Sequence, residues 1–330
     1  PFLCCCLQPL LDSAQWEPVG FGGFGHVFKA RHKDWGFDVA IKIPHRYINL
    51  SILYLYLPGT KQMFKASCQF VLRVYGNYLG SLPFGPTTTM RQGIVMEYMR
   101  RGSVQSLMSK LSGPQPWPLV FRLAHQVAQG MNFLHTMNLM HHDLKPSNVL
   151  LNDDLNAKIA DFGLSRVSTS VSNSNGGTKA EIGGSYKYMP PEAFETSYKP
   201  VRAFDRYSYG ILLWSIVTGK EPYPTADYNL VALKIPLGDR PHCGEIDLMK
   251  AEGLKEMVHL MERCWEKNPL NRPTFKGFIV TFKLVSLSLY WIILYFVLLF
   301  KSFDFSLNNG YFSPKKQFCN RKWCAGFAVL

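Results

Sequence analysis

The stretch "HHDLKPSNVLL", His141 to Leu151, followed ten residues later by the "DFG" that begins at Asp161, constrains this chain more than any other feature. It sets Asp143, Lys145, Asn148 and Asp161 in a fixed order, and those residue types together suit one kind of chemistry. Phosphoryl transfer needs a carboxylate to orient and deprotonate a hydroxyl, oxygen ligands for Mg²⁺, and cations on the transferring phosphate. On that reading Asp143 is the base, Asn148 and Asp161 hold metal, and Lys145 sits on the γ-phosphate of ATP. Each residue alone has a plainer explanation, since an Asp before a Leu is usually a solvated charge. Their joint order and spacing decide against it.

Upstream, "GFGGFGHV" places Gly20, Gly22 and Gly25 as G-x-G-x-x-G with Val27 two further on. Such a loop lets backbone amides approach phosphates without Cβ interference, and Gly20, Phe21, Gly22, Gly23, Phe24, Gly25, His26 and Val27 are its candidate nucleotide-binding positions. A dinucleotide fold would need a helix next. Here the residues after Gly25 alternate like a strand and lead to "VAIK", whose Lys42 is the candidate grip on the α- and β-phosphates. A glycine-rich hairpin is the bland alternative.

The first third reads as strands: "HVFKARH" and "FDVAIKI" flank the turn-like "KDWG", and "QGIVMEYM" is another apolar run. After "SGPQPWP", Val120, Leu123, Val127, Met131 and Leu134 recur at helical spacing, and "YSYGILLWSIVTG" predicts a nearly all-apolar helix ending at Gly219. The expectation is an α+β chain with a sheet-rich lobe followed by a helical one. The polar loop "SRVSTSVSNSNGGTKAE" is too long for a mere connection.

With 330 residues, 47% of them hydrophobic, the chain can bury a full core. Its net charge of +13 is scattered, without the aromatic-interleaved basic clusters of a nucleic-acid binder, so no nucleic-acid partner is expected. The eight cysteines, three of them at Cys4 to Cys6, form no paired C-x2-C sets and argue neither a zinc site nor a disulfide framework. A chain starting at Pro1 reads as a fragment, and "PFLCCCLQPLL" lacks the marks of a signal peptide.

Together these motifs resemble the eukaryotic protein kinases, from about Trp16 to about Phe278. Within that family "KDWGFDVAIK", "PWPL", "HHDLKPSNVLL" and "YMPPE" look like receptor-interacting serine/threonine kinases, closest to the type 2 and type 3 members. The resemblance implies a two-lobed kinase fold over 13–283 (N-lobe 13–100, C-lobe 101–283), with 1–12 and 284–330 unassigned. It implies a cytoplasmic enzyme of inflammatory or cell-death signalling that takes ATP and Mg²⁺, phosphorylates Ser or Thr of a protein substrate, and assembles with kinases of its own kind. By the family's pattern Met96 is the gatekeeper, Glu97 and Met99 offer backbone groups to adenine, and Val27, Ala40 and Leu150 sandwich the ring. Ser185 is similarly placed to contact Asp143 and Lys145, and Arg272 to brace Glu192 as a buried ion pair.

Three departures stand out. His142 replaces the arginine usual before the catalytic Asp, which predicts weaker dependence on phosphorylation of the activation loop. No Asp or Glu occurs in the 58 positions from Val39 through Met96, where the average of 23 in 330 would place about 4. The acid expected to pair with Lys42 falls near Gly59, beside Pro58, so a scaffold that signals by recruitment is the alternative to an enzyme. Finally, Leu284 to Phe300 is 17 residues without a charge, at the lower limit for a membrane span. A shared Leu/Ile/Tyr/Ser-rich character with "INLSILYLYLP" favours translated intervening sequence for both over a membrane anchor or a buried helix.

Overall fold

The computed structural model describes residues 16–22, 25–45, 68–82, 90–111, 115–161, 185–195, 198 and 201–280. Gly23, Phe24, Gly59, the activation-loop hydroxyls and Leu284 to Phe300 lie outside the described residues.

Five antiparallel strands build the N-terminal sheet: β1 (Glu17–Gly22), β2 (Gly25–Arg31), β3 (Asp38–Pro44), β4 (Val74–Ser81) and β5 (Met90–Glu97), in the order β1-β2-β3-β5-β4. The two-residue period of a strand sorts β3 cleanly. Val39, Ile41 and Ile43 pack with Phe28, Ala30, Tyr78 and Val95 in one cluster, while Ala40, on the opposite face, packs with Leu72, Met96, Met99 and Ala160 in another. Lys42 shares the parity of Ala40, which is why a charged residue stands in the middle of the central strand.

Three of the strands, β2, β3 and β5, coincide with the apolar alternation of the sequence; β1 and β4 do not. "EPVGFG" and "VYGNYLGS" each carry two glycines, which weaken intrinsic strand preference, and pairing with β2 and β5 overrides it. Gly25 has a specific reason to be glycine. Its φ is 154°, and a Cβ there would lie 2.2 Å from the Ile43 carbonyl oxygen across the β2–β3 pair.

The second lobe comprises α1 (Val104–Lys110), α2 (Trp117–Thr136), a small β6 (Val149–Leu151) and β7 (Ala157–Ile159) ribbon, α3 (Ala203–Thr218), α4 (Tyr228–Leu237) and α5 (Leu254–Cys264). Ser103 and Ser106 close a reciprocal capping box on α1, and Asp227 accepts from the Leu230 amide at the start of α4. Helix α3 buries 14 of its 16 residues and stops at Gly219, whose φ of 70° suits a left-handed cap, as the sequence predicts. The bracing pair also forms: Arg272 Nη1 and Nη2 donate to Glu192 Oε1 and Oε2 at 2.6 and 2.8 Å, with Arg272 only 2% exposed.

The lobes meet through the backbone just before β4. Ile159 N donates to Phe70 O and Leu72 N to Ile159 O, both at 2.9 Å, so β7, two residues short of Asp161, is tied to the N-terminal sheet's own chain. Among the described residues no helix is long and apolar enough to cross a membrane.

Candidate active site

Asp205 is an acid in the first turn of the mostly buried α3, with no exposed surface, and the sequence reading missed it. Its Oδ2 accepts from His141 N at 2.9 Å and meets His135 Nε2 at 2.7 Å; its Oδ1 accepts from His142 N at 2.7 Å. Burial alone would raise the carboxyl's pKa, but the hydrogen bond with His135 and the electrostatic attraction of that ring outweigh it, and the pKa is lowered. The signal available was an acid two residues before a run as apolar as "YSYGILLWSIVTG", at the head of the predicted helix: buried charges persist where they are hydrogen-bonded.

Asp205 holds the amides of both His141 and His142, and so sets the course of the backbone into Asp143. His142 adopts a φ of 61°, a left-handed conformation uncommon for a residue with a side chain. His141, fully buried, places Nε2 2.8 Å from the Ala160 carbonyl and accepts from the Asp143 amide at Nδ1, so its ring proton is on Nε2. Thus one imidazole links the loop bearing Asp143 to the strand that ends before Asp161.

Asp143 Oδ2 accepts from Asn148 Nδ2 at 2.8 Å and pairs with Lys145 Nζ at 3.0 Å. Asn148 donates to the Asp143 carbonyl as well, also at 2.8 Å, which leaves its amide oxygen as the ligand atom it has to offer. Lys145 Nζ donates a short hydrogen bond to Ser185 Oγ. The expected contact of Ser185 with Lys145 therefore forms, and Lys145 stands between Ser185 and Asp143 as the bridge that joins them.

Lys42, 6% exposed, donates to Asp161 Oδ1 at 2.7 Å. Asp161 has a φ of 60°, a conformation Asp tolerates better than most residues, and its side chain is 26% exposed. The amide oxygen of Asn148 and the carboxylate of Asp161 form a hard, all-oxygen donor set, which fits a divalent cation of the Mg²⁺ type.

The positions expected to enclose adenine come together. Ala40, Met96, Met99, Val27 and Leu150 all belong to the cluster that also holds Leu72 and Ala160. The hinge expectation needs one refinement. Glu97 N already donates to Arg73 O at 3.0 Å, so Glu97 has its carbonyl rather than its amide to give; among the described residues the Met99 amide meets no acceptor. The Glu97 carboxylate is occupied too, binding Lys158 Nζ at 2.7 and 2.8 Å and accepting from Arg73 N at 2.7 Å. On the glycine-rich hairpin, Gly20 pairs with Val27, Phe21 with His26 and Gly22 with Gly25, and Phe21 is 79% exposed.

A glycine-rich hairpin over a central-strand lysine, an apolar slot at the hinge, and a paired Asp–Asn–Lys loop facing a second Asp define a class, and the sequence comparison agrees. Residues 14–282 match the family model described as protein tyrosine and serine/threonine kinase, and the chain belongs to the protein kinase family.

Within it the chain is similar to receptor-interacting serine/threonine-protein kinase 4 of Homo sapiens, 37% identical over 267 residues, 79% of this chain and 30% of that protein. It is 38% identical to receptor-interacting serine/threonine-protein kinase 3 of Homo sapiens over 268 residues, 79% of this chain and 49% of that protein. To receptor-interacting serine/threonine-protein kinase 2 of Bos taurus it is 37% identical over 267 residues, 77% of this chain and 48% of that protein. The chain spans about a third to a half of the length of these relatives.

Proposed function

We propose that this chain is an ATP- and Mg²⁺-dependent kinase that phosphorylates Ser or Thr of a protein substrate, in inflammatory or cell-death signalling, in the cytoplasm and in assemblies with kinases of its own kind. The observation that carries the catalytic part is the Asp143 carboxylate, fixed by Asn148 at 2.8 Å and Lys145 at 3.0 Å while Ser185 caps Lys145. Bound nucleotide supplies the electrophilic γ-phosphoryl group. Asp143 orients the acceptor hydroxyl and takes its proton; Lys145 offsets negative charge on the transferring group. Asn148 and Asp161 would hold the metal. Lys42 exchanges its contact with Asp161 for the α- and β-phosphates, and the apolar slot of Val27, Ala40, Met96 and Leu150 takes the adenine, with the Glu97 carbonyl and Met99 amide at its edge.

A second reading, a scaffold that signals by recruitment, is favoured by one specific observation. The stretch from Val39 through Met96, where the acid for Lys42 is expected, contains no Asp or Glu. Kinases need the lysine positioned by a separate carboxylate for activity. The two readings part in one assay: transfer of labelled phosphate from ATP to myelin basic protein, with Asp143→Asn as control, beside the thermal shift induced by ATP and Mg²⁺. Transfer by the wild type that is lost in the variant supports the enzyme; no transfer by the wild type, with or without a shift, overturns it in favour of the scaffold.

A further inference from the structure

Lys187 is a lysine with only 6% of its surface exposed, in the short 3-10 turn Ser185–Tyr188. Its Nζ lies 3.0 Å from Glu221 Oε1 and donates to the Pro224 carbonyl at 3.4 Å. Both partners belong to the loop between α3 and α4. The neighbouring Tyr186 ties to the same loop, donating through its hydroxyl to Ala226 O at 3.2 Å and setting its ring edge-on to Tyr228 at 5.6 Å. The far side of the turn has its own anchor, since Ser208 Oγ donates to the Tyr188 carbonyl at 2.8 Å.

A buried ammonium is costly unless its charge is met, so the place of this turn depends on Glu221 staying where it is. Ser185 stands two residues from Lys187 in the same turn, and Lys145 donates to Ser185 while pairing with Asp143. A continuous set of contacts therefore runs from Glu221 through Lys187, the turn, Ser185 and Lys145 to the Asp143 carboxylate. We infer that Lys187, paired with Glu221, is a positioning residue: it holds Ser185 and Lys145 in register with Asp143 on the side of the site that receives the protein hydroxyl. Nucleotide affinity is left to Lys42, Asp161 and the apolar slot. The inference rests on the phosphotransferase reading of this site.

The test uses the full chain with Lys187→Met, Lys187→Arg and Glu221→Gln. Amide hydrogen exchange is read at Met189, whose N–H donates to Tyr186 O at 3.1 Å. Exchange there rises about tenfold in the Met and Gln variants and stays near wild type in Lys187→Arg, which keeps the charge. With myelin basic protein as acceptor, KM for the protein rises about fivefold or more in the first two variants, KM for ATP is unchanged, and Lys187→Arg recovers most of the loss. Unaltered exchange in Lys187→Met overturns the inference, as does a parallel rise in both KM values. A wild-type chain that transfers no phosphate refutes the phosphotransferase reading instead, and the exchange measurement still decides whether the pair holds the turn.

Discussion

Asp143 and Asp205 show how two acids 62 positions apart divide the work of one loop. Asp143 is the proposed base, so Asp143→Asn should lower phosphate transfer by about 10²- to 10⁴-fold. The shift of melting temperature by ATP and Mg²⁺ should persist in that variant. Asp205 is buried and builds the loop: Asp205→Ala orphans the His141 and His142 amides and should cost about 3 kcal/mol or more in urea unfolding. Its lowered pKa also gives a sign. That stabilisation is full above the unfolded carboxyl value of about 3.9 and is lost as pH falls through the depressed folded value. His32 acts in the same direction at higher pH. Burial lowers its pKa, partly opposed by Asp34, so its contribution is full above about 6.5 and fades as pH falls through the depressed folded value. Unfolding midpoints measured from pH 8 to pH 3 should therefore decline in two stages, the upper one absent in His32→Phe.

Among the elements, the β1–β2 hairpin ties loop chemistry to sheet packing. Gly25→Ala would bring a methyl to 2.2 Å from the Ile43 carbonyl oxygen at a φ of 154°, so the hairpin must move off β3. The expected loss is about 1–3 kcal/mol of stability together with weaker ATP binding, read by thermal unfolding with and without nucleotide. Strands β2, β3 and β5 and helices α2 and α3 were legible as alternation or helical spacing, because their buried faces are uninterrupted. Helix α5 was legible in principle and overlooked: Leu254, Met257, Val258 and Met261 follow helical spacing. Strands β1 and β4 were not legible, since glycine gives no apolar pattern and partner strands decide the outcome.

For the whole molecule, the Arg272–Glu192 pair joins the end of the activation segment to the last helices of the second lobe. Arg272→Met would leave Glu192 without its cation and should destabilise the chain by about 3–5 kcal/mol, seen as a lower urea midpoint with unchanged slope. The charge before Asp143 bears on regulation of the whole. With His142 in place of arginine, replacing Ser165, Ser168, Thr169, Ser170, Ser172, Ser174 and Thr178 by Ala should leave phosphate transfer within a few-fold of wild type. Complete loss would show that activation-loop phosphorylation controls this kinase after all.

The sequence by itself determined the family, the order of Asp143, Lys145, Asn148 and Asp161, the lysine of the central strand, and the apolar positions that meet at the hinge. These are statements about residue type and spacing along one chain, and the chemistry of phosphate fixes both. Only the tertiary structure decided that Asp205 carries the backbone of His141 and His142, that Glu97 is spent on Lys158 and Arg73, and that Lys187 looks to Glu221 rather than to solvent. Each of these joins residues from 24 to 64 positions apart, a pairing that no local pattern encodes. An acid's role depends on which donors the fold brings to it, and burial then decides whether its charge is a solvated ornament or the support of a site.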